Sequence, residues 1–257
     1  MTDQATQAKT VLLMTATVQP PPGMPGSVRM DSRVRLAEYC EALRFYLTLP
    51  DSCIQGIVVL ENSSADFSPM EEIYTISGSK KNIEFIHTSS DYPPERGKGY
   101  GEFMMIDEGM STSSMLHQAQ YIWKVTGRLK VLNMEALVTS APDKYEIYAD
   151  LRSVPLIGES LGGNHWMDLR IFSFASRVYD EFFRGKYGSA YVLEKFFFEV
   201  IKLRLDRGHA GIFCRFDVQP DLMGFSGHSN NSYQSPSYKI KSTIRSVARR
   251  VFPSLWL

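Results

Sequence analysis

The run Glu95–Phe103, ERGKGYGEF, sets three glycines beside Arg96 and Lys98, just ahead of a helix-like stretch. Backbone without side chains lets amide N–H groups approach an anion closely, and a helix N-terminus favours negative charge. Arg96, Gly97 and Lys98 are therefore candidate phosphate ligands. The run matches neither the Walker A pattern nor the dinucleotide fingerprint, because no Ser or Thr follows Lys98 and the glycine spacing differs. The plain alternative is a surface loop with solvated charges. Glu102, four residues after Lys98, suits either a sugar hydroxyl or an ion pair with that lysine. A second run, Tyr121–Asn133 (YIWKVTGRLKVLN), interrupts an apolar sequence with Lys124, Thr126, Gly127 and Arg128. Two cations at such a place need a carboxylate or phosphate partner if they are buried. If they face solvent, the run is an ordinary strand–turn–strand.

The elements around these runs alternate. Val11–Val18, Ile54–Leu60 and Asn82–His87 are short, apolar and strand-like. Between the first two, Leu36, Tyr39, Cys40, Leu43 and Leu47 recur at helical spacing, with Asp31 or Ser32 as the N-cap and Pro50 as the stop. Ser68–Ile76 is a short helix between the second and third strands. Apolar strands alternating with helices predict a mostly parallel α/β sheet with helices on both faces. Ligands in such sheets sit at the carboxyl ends of strands, here Thr15–Pro20, Glu61–Asp66 and Thr88–Lys98. Further on, Tyr121–Val125, Leu129–Leu132 and Tyr145–Arg152 are strand-like, and Leu161–Trp166 is a glycine-rich loop. Ser173–Phe183, Ala190–Leu205 and Lys239–Val251 are expected helices, with a polar loop from Gly224 to Pro236. The expected organisation is one domain over residues 1–236 and a basic C-terminal segment over 237–257.

Composition narrows the function classes. The 257 residues carry 28 Lys+Arg and 28 Asp+Glu, which argues against a broadly basic nucleic-acid binder. Cys40, Cys53 and Cys214 form no CxxC pair, so neither a cysteine zinc site nor a disulfide framework is signalled. The apolar run Val11–Met14 is too short for a signal peptide, and no stretch approaches the ~18 residues that span a bilayer. The expected location is the cytoplasm, with peripheral contact to the inner face of the cell membrane as the furthest departure from it.

The order strand, loop, helix, strand-ENSS, strand, RGKGYGE, helix, KVTGR resembles bacterial GT-A-fold glycosyltransferases of the O-antigen and capsule type that carry a KxTGR signature. The resemblance extends to about residue 205. It implies a Rossmann-like sheet and transfer of a sugar, a hexose, from a UDP-linked donor to a growing surface polysaccharide or lipid-linked glycan. Common members carry a DxD motif at the matching segment, whose carboxylates hold a divalent cation on the donor diphosphate. Here that segment is Lys124–Arg128, with no acidic pair. The expectation is therefore transfer without a bound metal, Mn or Mg being the alternative, with Lys124 and Arg128 facing the diphosphate and stabilising the charge on the leaving phosphate. Other readings are a CMP-sugar transferase and a non-catalytic nucleotide-sugar or glycan-binding subunit of a polysaccharide assembly complex. A nucleotidyltransferase fits less well, because it normally needs metal-binding carboxylates.

Roles follow from strand ends. Thr15 and Thr17 flank the nucleotide, and Glu61 and Asn62 read base or ribose, unless Glu61 simply caps the turn after it. Inverting transfer needs a general base, for which Asp150, Asp168 and Glu194 are candidates. Asp150 lies in YADLR at a strand end, and Asp168 follows the loop GGNHWM, where a helix N-cap is its plain alternative. Glu194 lies in an apolar helix, where burial would raise its pKa, with an exposed helix glutamate as its plain alternative. His165 and Trp166 suit a sugar site or a purely structural role, and Gly224–Tyr233, with His228, suits a lid or an ordinary C-terminal loop. The tail sets Lys239, Lys241, Arg245, Arg249 and Arg250 against Ile240, Ile244, Val247, Val251, Phe252 and Trp256. This pattern suits contact with a membrane surface, or a helix docked on the domain.

Overall fold

The computed structural model describes residues 9–25, 27–89, 91–154, 164–188, 192–252 and 256. Four strands run parallel to one another: β1 (Thr10–Ala16), β2 (Gly56–Glu61), β3 (Asn82–His87) at one edge and β4 (Tyr121–Thr126). β1 and β2 are buried along their whole length, which is why both are continuous apolar runs without alternation. Two antiparallel steps extend the sheet: β4 pairs with β7 (Trp166–Ala175), and β7 pairs with β6 (Ile147–Arg152). With β8 (Ile212–Phe213) at the edge, the order is β3-β2-β1-β4-β7-β6-β8. A two-stranded sheet joins β5 (Lys130–Val131) to β9 (Leu222–Met223).

The helices are α1 (Ser32–Leu47), α2 (Ser68–Ser77), α3 (Gly97–Thr112), α4 (Ser114–Gln118), α5 (Met134–Thr139), α6 (Tyr179–Phe182), α7 (Leu193–Asp206) and α8 (Pro236–Val251). Asp31 caps α1 by accepting from the amides of Arg33 and Val34. α3 and α7 meet over the sheet through Phe103, whose ring lies 4.5 Å from Phe197 and 6.3 Å from Phe172. Trp123, on the opposite pleat of β4 from Lys124, packs on Phe216 and Tyr148.

Two expectations are corrected. Ser173–Phe183 is not one helix: β7 continues to Ala175, a 3-10 turn covers Ser176–Val178, and α6 follows. The N-cap alternative for Asp168 fails with it, because Asp168 lies inside β7. Registers with β4 and β6 on both sides satisfy the β7 backbone, and that outweighs local helical spacing. The second correction concerns ERGKGYGEF, which is helical from Gly97 onward and not a loop before a helix. Its glycines make room for neighbours: a Cβ on Gly101 would lie 2.0 Å from the Tyr92 hydroxyl. Residues 161–163 of the expected glycine-rich loop, and 190–191 at the head of the expected helix before Leu205, lie outside the described residues.

α8 is turned inside out. Its Arg249 is buried against Asp150, and Gln219 Nε2 donates to Ser242 Oγ at 2.7 Å. Ile240, Ile244, Val247 and Val251, one stripe at helical spacing, stay 60%, 63%, 55% and 61% exposed. Exposed Lys239, Lys241 and Arg250 flank that stripe, and the helix contains no acidic residue.

Candidate functional site

The sheet order reverses between β1 and β4, so the loops leaving their carboxyl ends part and open a crevice. Thr15 pairs with Thr126 at the last register position, and the Gly127 amide donates to the Thr15 carbonyl at 3.0 Å. A Cβ on Gly127 would stand 2.7 Å from that carbonyl oxygen, so only glycine permits the two strand ends to meet.

On the β1–β2 side, three buried groups fix the loops. Arg35 of α1 donates from Nε to the Thr17 carbonyl at 2.7 Å, and the Tyr39 hydroxyl accepts from the Thr17 amide at 2.9 Å. Glu61 is fully buried and accepts from the amides of Val18 (3.0 Å), Ser63 (2.9 Å) and Ala65 (3.0 Å). Its carboxylate ties the two strand-end loops together, the capping alternative extended to a second loop. Thr17 Oγ1 donates to Asn62 Oδ1 at 2.6 Å. Thr17, Gln19, Pro21, Asn62, Ser63 and Tyr92 line an open cleft of about 120 Å³. Burial pushes the Tyr92 hydroxyl pKa up, with the nearby Glu102 charge adding to it. Arg35, Tyr39 and Tyr92 escaped sequence reasoning. The available signal was Arg35 on the inward stripe of α1, four residues before Tyr39.

At the end of β4, Lys124 has no solvent exposure, and its ammonium lies 2.7 Å from Glu102 Oε1 and 2.6 Å from the Leu169 carbonyl. Thr15 Oγ1 donates to the same Glu102 oxygen at 2.6 Å. Glu102 thus pairs with Lys124, a third possibility beside the sugar and Lys98. Lys124 is turned inward, with its charge on Glu102 where a ligand phosphate was expected. Arg128 is buried and pairs with Glu38 at 3.1 Å, while Glu38 also holds Arg29 at 2.6 Å. The lid candidate covers this spot: the Gly227 carbonyl accepts from the Val28 amide at 3.0 Å, and the Arg29 guanidinium lies 4.5 Å over Phe225. His228 itself is exposed. Arg96 points to the Gly188 carbonyl and stacks on Tyr100, leaving Lys98 as the cation of α3 nearest the crevice charges. Crowding by protein pushes the Lys98 pKa down, while Glu194 and Glu102 pull it up and Arg128 and Arg35 push it further down. Lys98, Glu102, Glu194, Arg35 and Arg128 therefore share one electrostatic neighbourhood.

These residues do not fit a divalent cation of the DxD kind. The β4 end presents two cations, and the adjacent carboxylate, Glu102, already carries Lys124. Among the described residues, no three His, Cys, Asp or Glu side chains group as metal ligands.

The three candidate bases differ sharply. Glu194, in the first turn of α7, is partly buried; desolvation raises its pKa, with the Glu102 charge adding to it and Lys98 opposing. Asp168 is buried between Arg170, whose Nε lies 2.8 Å from Oδ1, and Arg152, 3.2 Å from Oδ2. Burial opposes its charge, yet Arg170 and Arg152 hold its pKa well below the carboxylate range. Asp150 occupies a register irregularity in β6, which turns it onto Arg249. His165 is exposed, with Nδ1 3.0 Å from Glu199 and its ring stacked on Phe198, and Trp166 opens β7.

No protein-family model matches the chain, and no curated protein matches it. Solved structures do. A candidate nucleotide-diphospho-sugar transferase from Desulfovibrio desulfuricans G20 aligns over 95% of this chain and 98% of its own, with 11% identity and a TM-score of 0.46. A cytidylyltransferase from Leptospira borgpetersenii aligns over 97% of each chain, with 11% identity and a TM-score of 0.48. HddC from Yersinia pseudotuberculosis aligns over 92% of this chain and 99% of its own, with 11% identity and a TM-score of 0.39. At that identity these likenesses assign no activity to this chain.

Proposed function

We infer that this chain is a glycosyltransferase that moves a hexosyl group from a nucleotide-diphosphate sugar, UDP-linked, to a surface polysaccharide or lipid-linked glycan without a DxD-bound metal. The observation that carries the reading is Glu194: a carboxylate with a burial-raised pKa at a helix start, sharing its field with Lys98 and the strand-end crevice. A carboxylate whose pKa burial raises is a stronger base, suited to taking a proton from an acceptor hydroxyl. The nucleoside lies in the Thr17–Asn62–Tyr92 cleft, and Lys98 with Arg128 faces the diphosphate. In an inverting transfer the acceptor oxygen bonds to the sugar C1 as the C1–O bond to the diphosphate breaks. The hydroxyl proton passes to Glu194, and the charge left on the nucleoside diphosphate falls to the two cations. Lys124 acts one step back, holding Glu102 and Thr15 in place.

Ligand-induced thermal shifts with UDP, GDP, CMP, dTDP and AMP, each in EDTA and in Mn, test the donor site. A selective rise with UDP in EDTA is the expected result. A rise with CMP alone would transfer the reading to a CMP-sugar transferase, and a rise only in Mn would overturn the metal-free part. No rise with any nucleotide would leave a glycan-binding subunit. Hydrolysis or transfer of UDP-sugar then separates an enzyme from a nucleotide-sugar-binding subunit.

The acceptor side of the proposal is an anionic membrane surface met by α8. The outward apolar stripe with cations on its flanks supports it, since a soluble helix ordinarily turns such a stripe to the core. Full-length protein is expected to co-sediment with phosphatidylglycerol vesicles, and I244S/V251S to lose that binding at unchanged Tm. Unchanged co-sedimentation of the variant would end the membrane reading, and loss of a dimer in place of vesicle binding would assign the stripe to a second copy.

A further inference from the structure

At the end of β6 and β7 beside Glu194, the described residues hold more positive charge than carboxylates to neutralise it. Arg152, Arg170 and Arg245 share one carboxylate, Asp168. Asp168 pairs with Arg152 and Arg170 directly. Arg245 makes neither a hydrogen bond nor an ion pair with any described residue. Arg152 Nε is buried and has no hydrogen-bond partner there. Burial and the neighbouring Arg152 charge push the Arg245 pKa down to about 10, which leaves it charged at neutral pH. Arg245 belongs to the inner side of α8, so its charge is aimed into the molecule while the apolar stripe faces out. Tyr233 sits under the Arg170 guanidinium, 5.0 Å from ring centroid to Cζ, and closes one side.

Holding like charges together in a half-buried place costs free energy unless an anion joins them. Guanidinium groups suit a tetrahedral oxyanion, because each presents planar paired donors. Position sets Arg152 apart from the donor diphosphate. Strands in a sheet lie about 4.8 Å apart, so β6 stands roughly 14 Å from β1, across β4 and β7. A nucleoside seated over β1 and β2 puts its diphosphate near the end of β4, beside Arg170 on β7 and two strands short of Arg152 on β6.

We propose that Arg152, Arg170 and Arg245 form a subsite for a phosphate or pyrophosphate group carried by the acceptor, with Asp168 holding the first two arginines in position. The assignment to an acceptor rests on the transferase reading above, whereas the anion site itself does not. The same phosphate chemistry is found in a soluble sugar phosphate and in a lipid-linked pyrophosphate.

The test is titration of the full-length protein with inorganic pyrophosphate at constant ionic strength, read by thermal shift and calorimetry, with and without saturating UDP. Wild type is expected to bind pyrophosphate whether or not UDP is present. R245Q is expected to bind at least tenfold more weakly while keeping its UDP response, and R245K to fall between them. Equal affinity in wild type and R245Q, or no binding at all, overturns the subsite. Displacement of pyrophosphate by UDP overturns its assignment to the acceptor. Should UDP bind nowhere while pyrophosphate still binds through Arg245, the donor reading fails and the subsite stands. Farnesyl pyrophosphate and glucose 1-phosphate distinguish the sources: tenfold tighter binding of the first supports a lipid-linked acceptor, and a preference for the second supports a soluble one.

Discussion

The two halves of the sheet differ in how far buried charge is met. Around β1, β2 and β4, Glu61 is held by three backbone amides, Lys124 by Glu102 and a carbonyl, and Arg35 by the Thr17 and Arg29 carbonyls and the Tyr39 hydroxyl, and Arg29 and Arg128 share Glu38, with Arg29 Nε left without a hydrogen bond among the described residues. Around β6, β7 and α8, arginines outnumber carboxylates among the described residues, and buried guanidinium nitrogens of Arg152 and Arg249 have no partner there. A matched network fixes loops before any ligand arrives. An unmatched one stores repulsion that a ligand of opposite charge relieves. Under the proposed function, the first half is a preformed mould for the nucleotide, and the second a place completed by the anion it binds.

The largest expected effect probes the carboxylate between the halves. E194Q is expected to lower turnover by about 10²–10⁴-fold, the usual contribution of a general base. Its stability should hold or rise at neutral pH. A carboxyl whose folded pKa is raised favours folding less as pH climbs from 4.5 through the raised value, and Gln removes that loss. In wild type the acidic limb of kcat/KM should lie above the ordinary value of 4.5. A limb at or below it, or full activity of E194Q, would remove Glu194 from the reaction.

The next effects set one half against the other. K124A leaves Glu102 without its cation and D168N leaves three arginines unneutralised, so each is expected to lose roughly 3–5 kcal/mol in chemical denaturation. They should differ on adding pyrophosphate: D168N recovers part of the loss, and K124A recovers no more than wild type gains. Equal recovery would erase the contrast. Acid should act on the same pair. The Asp168 pKa is depressed, so its contribution is complete above its ordinary 3.8 and fades as pH falls below that. The acid unfolding transition of D168N should consequently be shallower than that of wild type. The smallest effect is G101A, whose Cβ would meet the Tyr92 hydroxyl. It is expected to cost about 1–3 kcal/mol by overpacking and to weaken UDP binding more than pyrophosphate binding, since only the nucleoside cleft uses Tyr92.

Most elements of the first half are legible in local sequence. Strands β1, β2 and β3 and helices α1 and α2 were legible because their apolar periodicity comes from local residues and is bounded by Asp31, Pro50 and the ENSS turn. The places of Thr17 and Asn62, just past the ends of β1 and β2, were legible for the same reason: a strand end in a parallel sheet is a place that sequence order can name. Tertiary structure decided the rest. β7 was missed because its ladder lies between β4 and β6, partners distant in the chain. Lys124 was marked as a cation that needs an anion, but only packing could say that the anion is Glu102, on a helix that crosses the sheet. The basic, apolar pattern of α8 announced an amphipathic helix. Which face docks depended on Asp150, about a hundred residues away, whose carboxylate takes Arg249 and so leaves the apolar stripe outside. Local periodicity records which residues share a face, and only long-range pairing of charges and backbone groups decides what that face meets.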